Sequence, residues 1–194
     1  MKRLFDIVGA SILLVLSSSL MVGIALAIWL TTGYPILFSQ WRKGYQGKAF
    51  RIWKFRTMTV ADQNCSITDL AWHRQDSRIT PIGRTLRRTH LDELPQLWNV
   101  LVGDMSLVGP RPVVPSIAQE MEERFPWAAG RSLVKPGLTG PVQVFGRQAI
   151  RNDPERCCRL DIEYATIDSE WRRFFQDIRI LWATIFVVLS AQGI

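Results

Sequence analysis

The chain has 194 residues and a formal charge of +7, from 24 basic and 17 acidic side chains, and 47% of its residues are hydrophobic. That length suits one domain with a real core, and the charge points to an anionic partner such as nucleic acid, anionic lipid or a phosphorylated substrate. Scattered basic residues without any helix-turn-helix, zinc-finger or RNP-type signature argue against nucleic acid, and three cysteines (Cys65, Cys157, Cys158) without metal-ligand or disulfide spacing imply a reduced, cytosolic setting.

From Ile7 to Leu30 there is no charged residue, and a helix of that length reaches about 36 Å, enough for a hydrocarbon core of about 30 Å. The stretch is long for a signal peptide, Asp6 interrupts its start, and no A-x-A-like site ends it. A retained membrane segment is therefore expected. Lys2 and Arg3 precede it, while Arg42, Lys43, Lys48, Arg51, Lys54 and Arg56 follow, so the positive-inside tendency would hold both flanks in the cytoplasm. Two topologies stand on charge grounds: a single-pass anchor, or a re-entrant helix that dips in and returns. The candidate bend for the second is Ser17 to Ser19, whose hydroxyls can bond back to carbonyls one turn earlier.

Beyond the segment, "PILFSQ" and "AFRIWKF" have strand-like content separated by Gly44 and Gly47, which predicts a hairpin. Residues 59 to 80 are polar and predict a loop. "PIGRTLRRTH" predicts a short basic helix, and Leu94, Leu97, Trp98 and Leu101 recur at helical spacing. "VVPSIAQEMEERF" predicts another helix, "PGLTGPVQVFG" a loop entering a short strand, and residues 154 to 182 further helices. The uncharged run from Ile180 to Ala191 is too short to span comfortably, so it predicts a helix packed on the domain or lying at a membrane interface. The fold class is α+β and mostly helical. Residues 1–33 form the membrane helix, and residues 34–194 form a cytoplasmic, membrane-associated domain.

The chemistry-bearing stretch is "HLDELPQLWNVLVGDMSLVGPRP", residues 90 to 112. Asp92 and Glu93 have a plain reading as acids near a helix start, where they meet the dipole, with Thr89 and Asp92 resembling a capping box. Pro95 fits a first helical turn, so both acids can border one cavity that also faces free N–H groups. Arg111 is held between Pro110 and Pro112, and Lys54, Arg56, Lys135 and Arg147 add cations. Each alone suits a solvated surface. Together they would make an anion-receiving basin around two acids without side-chain partners, the arrangement phosphoryl transfer requires.

The run "KFRTM … DELPQLWNVLVGDMSLVGPRP … KPGLTGPVQVFGR … LDIEY" closely resembles the bacterial sugar transferase family, the small monotopic phosphoglycosyl transferases that begin lipid-linked glycan assembly such as exopolysaccharide. The resemblance spans nearly the whole chain. It implies transfer of a sugar 1-phosphate from a UDP-sugar to polyprenyl (undecaprenyl) phosphate with release of UMP, Mg²⁺ as cofactor, and a catalytic dyad of Asp92 and Glu93. The aspartate would attack the β-phosphate and carry the phospho-sugar covalently, with Glu93 serving metal or proton handling. Lys54 and Arg111 would neutralise phosphate, Arg147 would meet the nucleotide phosphate, and Asp161 would belong to the site or to a structural salt bridge within its helix. The implied location is the cytoplasmic face of the bacterial inner membrane, against anionic lipids. Family members often carry a Ser-Pro pair that breaks the membrane helix into a re-entrant hairpin; Ser19 stands at the proline position here, and the resemblance favours the re-entrant form. Two other readings are a membrane-anchored basic scaffold for anionic lipid or nucleic acid, and a metal-dependent phosphohydrolase. The sugar itself is not legible.

Overall fold

Charged side chains at both ends fix the long apolar helix onto the rest of the chain. The computed structural model describes residues 1–59, 77–145 and 153–189, and in it helix α1 runs unbroken from Lys2 to Thr32. At its start, Lys2 pairs with Asp177 at 2.6 Å and donates to the Val108 carbonyl. Arg3 donates to the carbonyls of Val100 and Leu101, both at 2.6 Å. Buried Asp6 accepts from the Ser106 hydroxyl and the Leu107 N–H, at 2.9 and 3.0 Å. At its end, the Arg56 guanidinium gathers the carbonyls of Thr32, Gly33 and Tyr34. Carbonyls left without intrahelical partners at a helix end need such donors, and a cation also suits that end of the dipole.

Apolar contacts repeat the pattern. Ala10 lies in the main core with Leu97, Val100, Met105 and Leu107, while Ile24 and Ile28 lie in a second core with Phe55 and Leu86. Between these anchors the helix is largely exposed, with Val15, Leu16 and Val22 all bare. Ser17 and Ser18 bond back to the carbonyls of Leu13 and Val15, as their spacing suggests, without interrupting the helix.

The predicted hairpin forms: β1 (Leu37–Lys43) and β2 (Ala49–Phe55) are antiparallel, with Gln40 opposite Ile52 and Phe38 opposite Lys54. Helices follow over Pro81–Thr89 (α2), Gln96–Val102 (α3) and Pro115–Arg124 (α4). Strands β3 (Ser106–Val108) and β4 (Gly137–Thr139) pair in parallel, which the sequence did not suggest. The order within "PGLTGPVQVFG" is also corrected: the strand comes first, and Pro141–Phe145 is a helix, α5, because proline at a helix start loses no intrahelical bond. Helices α6 (Pro154–Ala165) and α7 (Glu170–Leu189) close the described chain. Helix α7 buries Asp177 and Ile180 and exposes Trp171, Phe175, Ile178, Trp182 and Phe186 along one side. Most of the polar segment from 59 to 80 lies outside the described residues.

Asp6→Ala removes the acceptor for two buried donors, which costs about 1–3 kcal/mol. The expected result is a clear drop in Tm for detergent-solubilised protein. Asp6→Asn, which keeps an acceptor oxygen, recovers part of it.

Candidate active site

Two turns bring the acid pair to the centre of the domain. Helix α2 starts with Thr80 capping the Gly83 N–H at 3.0 Å. It ends where His90 adopts a left-handed conformation, φ 59. That residue redirects the chain into a single 3-10 turn, Leu91–Glu93, from which Pro95 leads into α3. Asp92 and Glu93 therefore sit between two helices, each about 8% exposed. The anticipated capping box does not form, because the Thr89 hydroxyl bonds back to the carbonyls of Thr85 and Leu86. At this bend the N–H groups of Glu93, Leu94, Leu97 and Trp98 are already taken, donating to the carbonyls of His90, Leu91, Leu94 and Pro95.

The two acids differ sharply. Glu93 is not bare, as the sequence suggested, but is gripped by Lys54 at 2.6 Å and Arg111 at 2.7 Å through the same oxygen, Oε1. Those two cations overcome burial and hold its carboxyl well below the usual range. Asp92 accepts no side-chain hydrogen bond or ion pair from any described residue. Burial first, and the charge of Glu93 second, push its carboxyl up to about 6, against the pull of Lys54, Arg87 and Arg111.

Several residues that shape this basin carried no recognised signal in the sequence. Arg87 donates from Nε to the Thr57 hydroxyl at 2.9 Å and faces Asp92. Arg42, on β1, lies close enough to Arg111 and Glu93 to feel both charges. Asn99 accepts from the Trp53 N–H and donates to the Arg51 carbonyl, which locks β2, and so Lys54, to α3. Gly109 admits the Lys135 carbonyl where a Cβ would lie 2.3 Å from that oxygen. This close crossing of β3 and β4 delivers Arg111 to the acids.

Other expected members are placed elsewhere. Arg56, predicted on the same side as Lys54, is committed to the end of α1. Lys135 lies beside Arg3 and Asp104, whose charges act on it in place of the acid pair's. Asp161 does not touch the acids. It is paired with Arg131 (2.6 Å), which in turn donates to the Arg111 carbonyl at 3.0 Å. Its salt bridge thus leaves its own helix and steadies the arginine's backbone. Arg147 lies outside the described residues.

No group of three or more His, Cys, Asp and Glu occurs among the described residues, so no all-protein metal cage is present there. Mg²⁺ more often takes one or two carboxylates together with substrate phosphates and water. Asp92, with its oxygens unengaged, fits that use; Glu93, held by two cations, fits it less well.

A family model described as bacterial sugar transferase matches residues 1–191. The chain is 41% identical over 194 residues to an uncharacterized sugar transferase of Bacillus subtilis (strain 168), covering all of this chain and 90% of that one. It is 39% identical over 189 residues to the UDP-glucose:undecaprenyl-phosphate glucose-1-phosphate transferase of Escherichia coli (strain K12), covering 96% of this chain and 39% of the relative. It is 38% identical over 209 residues to the undecaprenyl-phosphate galactose phosphotransferase of Salmonella typhimurium, covering 100% and 41%. The chain thus spans about two fifths of the length of the latter two relatives.

The contrast within the dyad predicts stability changes of opposite sign. Without substrate or metal at neutral pH, Asp92→Asn removes a carboxyl whose charge burial and Glu93 disfavour, and should raise Tm. Glu93→Gln removes the carboxylate that Lys54 and Arg111 share and should destabilise by about 3 kcal/mol. Thermal unfolding of both variants checks this, and equal losses would contradict it.

Proposed function

This chain belongs to the bacterial sugar transferase family, and from that premise we propose that it moves a sugar 1-phosphate from a UDP-sugar to polyprenyl phosphate, releasing UMP. The observation that carries the reading is the Asp92 carboxyl, buried without a side-chain donor among the described residues and set beside the charges of Lys54, Arg87 and Arg111. In the first step an Asp92 oxygen bonds the β-phosphorus. The bond from that phosphorus to the oxygen bridging the α-phosphate breaks, and the bridging oxygen leaves with UMP. In the second step a phosphate oxygen of the lipid attacks the same phosphorus. Its bond to Asp92 breaks, freeing the carboxylate and giving polyprenyl diphosphate-sugar.

In this reading Lys54 and Arg111 neutralise the transferring phosphoryl oxygens, and Glu93 keeps both aligned. Bound Mg²⁺, held by Asp92 with the diphosphate, would supply further charge neutralisation. Arg147 remains a candidate for the nucleotide phosphate on the family resemblance alone. Relatives named for glucose and for galactose match at nearly the same identity, so the sugar is left to measurement.

The same reading puts the enzyme at the cytoplasmic face of the inner membrane. Helix α1 has 31 residues, about 46 Å of helix, yet both ends bind one domain. A straight crossing would separate those ends by a bilayer, so in this reading both ends of α1 stay on one face and the exposed middle of the unbroken helix meets the membrane from that side. The exposed aromatic side of α7 and the chain's positive charge suit contact with anionic lipid there.

Two measurements test this. Across a panel of UDP-sugars, UMP release and a lipid-linked product should appear together, and Asp92→Asn should lower both by at least ~10³-fold. Free sugar phosphate without lipid product would favour the phosphohydrolase, and an unimpaired variant the scaffold. In sealed inverted vesicles, protease should reach epitope tags at both chain ends; protection of the amino-terminal tag alone would show a straight span.

A further inference from the structure

We infer that Arg42 is a second guanidinium of the phosphate basin, binding a phosphoryl oxyanion of a substrate beside Arg111; this rests on the transferase reading above. Arg42 sits on β1 and is oriented by Gln40, whose Oε1 accepts from its Nη2 at 2.7 Å. Its Nη1 makes only a long contact, 3.4 Å, with the Pro112 carbonyl. Its Nε is buried and has no hydrogen-bond partner among the described residues. No carboxylate among those residues pairs with it. The anion that acts on it, Glu93, is already shared by Lys54 and Arg111.

A half-buried guanidinium with a buried, unpartnered Nε is unusual in that position. An arginine with a purely structural task finds a carboxylate or reaches water, because removing its charge from water without an anion is costly. Arg42 is only partly exposed, has no carboxylate of its own among the described residues, and faces a like charge as well. Burial and Arg111 together depress it to about 10, despite the pull of Glu93. Its contact with the Pro112 carbonyl sets its guanidinium beside the segment that carries Arg111. Two planar donor forks on one wall can bind one phosphate or bridge a diphosphate. Charge supports this: Lys54, Arg42, Arg87 and Arg111 outnumber Asp92 and Glu93, so the basin stays positive with both acids ionised.

The oxyanion could come from the nucleotide donor or from the lipid phosphate, and binding separates the two. Calorimetry on the full chain in detergent would measure UDP and, separately, a short-chain soluble polyprenyl phosphate, for wild type, Arg42→Gln and Arg42→Lys. Arg42→Gln should weaken the binding of one ligand by about 10- to 100-fold, the size of a lost charged hydrogen bond. Arg42→Lys should recover part. Loss confined to UDP assigns the donor, and loss confined to the lipid analogue assigns the acceptor. The ligand-free Tm of Arg42→Gln should equal or exceed that of wild type, because a like-charge contact has been removed. Unchanged affinity for both ligands overturns the inference, as does a loss of affinity that follows a fall in Tm in both variants. Failure of the wild-type protein to bind UDP at all would instead count against the transferase reading.

Discussion

A single carboxylate holds the centre of this protein together. Glu93 joins β2, through Lys54, to the segment after β3, through Arg111, and does so from the turn between α2 and α3. Those groups are largely out of water, so none of them is comfortable without the others. With Glu93 occupied in this way, the neighbouring Asp92 is left with cations around it and no side-chain bond from any described residue. One acid organises charge while the next remains available for chemistry.

The long apolar helix belongs to the same construction. Arg3 caps the far end of α3, the helix that follows the acid pair, and Asp6 holds the start of β3, which leads to Arg111. At the other end Arg56 and Lys54 sit two residues apart, one closing α1 and one gripping Glu93. A shift of α1 would therefore be felt at the acids through short, stiff connections. If the proposed transfer holds, a site that receives both a water-soluble nucleotide and a lipid phosphate would gain from such a link, since lipid depth and phosphate geometry would be set by the same elements.

The sequence disclosed local matters well. Strand-like content in "AFRIWKF", helical spacing from Leu94 to Leu101, and the helix expected in "VVPSIAQEMEERF" correspond to elements where they were expected. It also singled out Asp92, Glu93, Lys54 and Arg111, which the fold brings together. What it hid depends on long-range pairing. Lys54 is 39 residues from Glu93, and nothing local says that a lysine will spend its charge on that acid. Asp6 looked like an interruption in a membrane segment, because its partners Ser106 and Leu107 lie about a hundred residues on. Asp161 and Arg131 likewise meet only in three dimensions. The parallel pairing of β3 and β4 leaves no trace in strands of three residues, too short for a period to show.

The claim at the heart of this account is that Asp92, freed by its neighbour, takes the phospho-sugar onto its own carboxylate. Incubating the protein with UDP-sugar and no lipid acceptor, digesting it and weighing the peptides tests that directly. The account predicts the added mass of a sugar phosphate on the peptide containing Asp92 and its absence in Asp92→Asn. Release of UMP with no such mass on that peptide would contradict it.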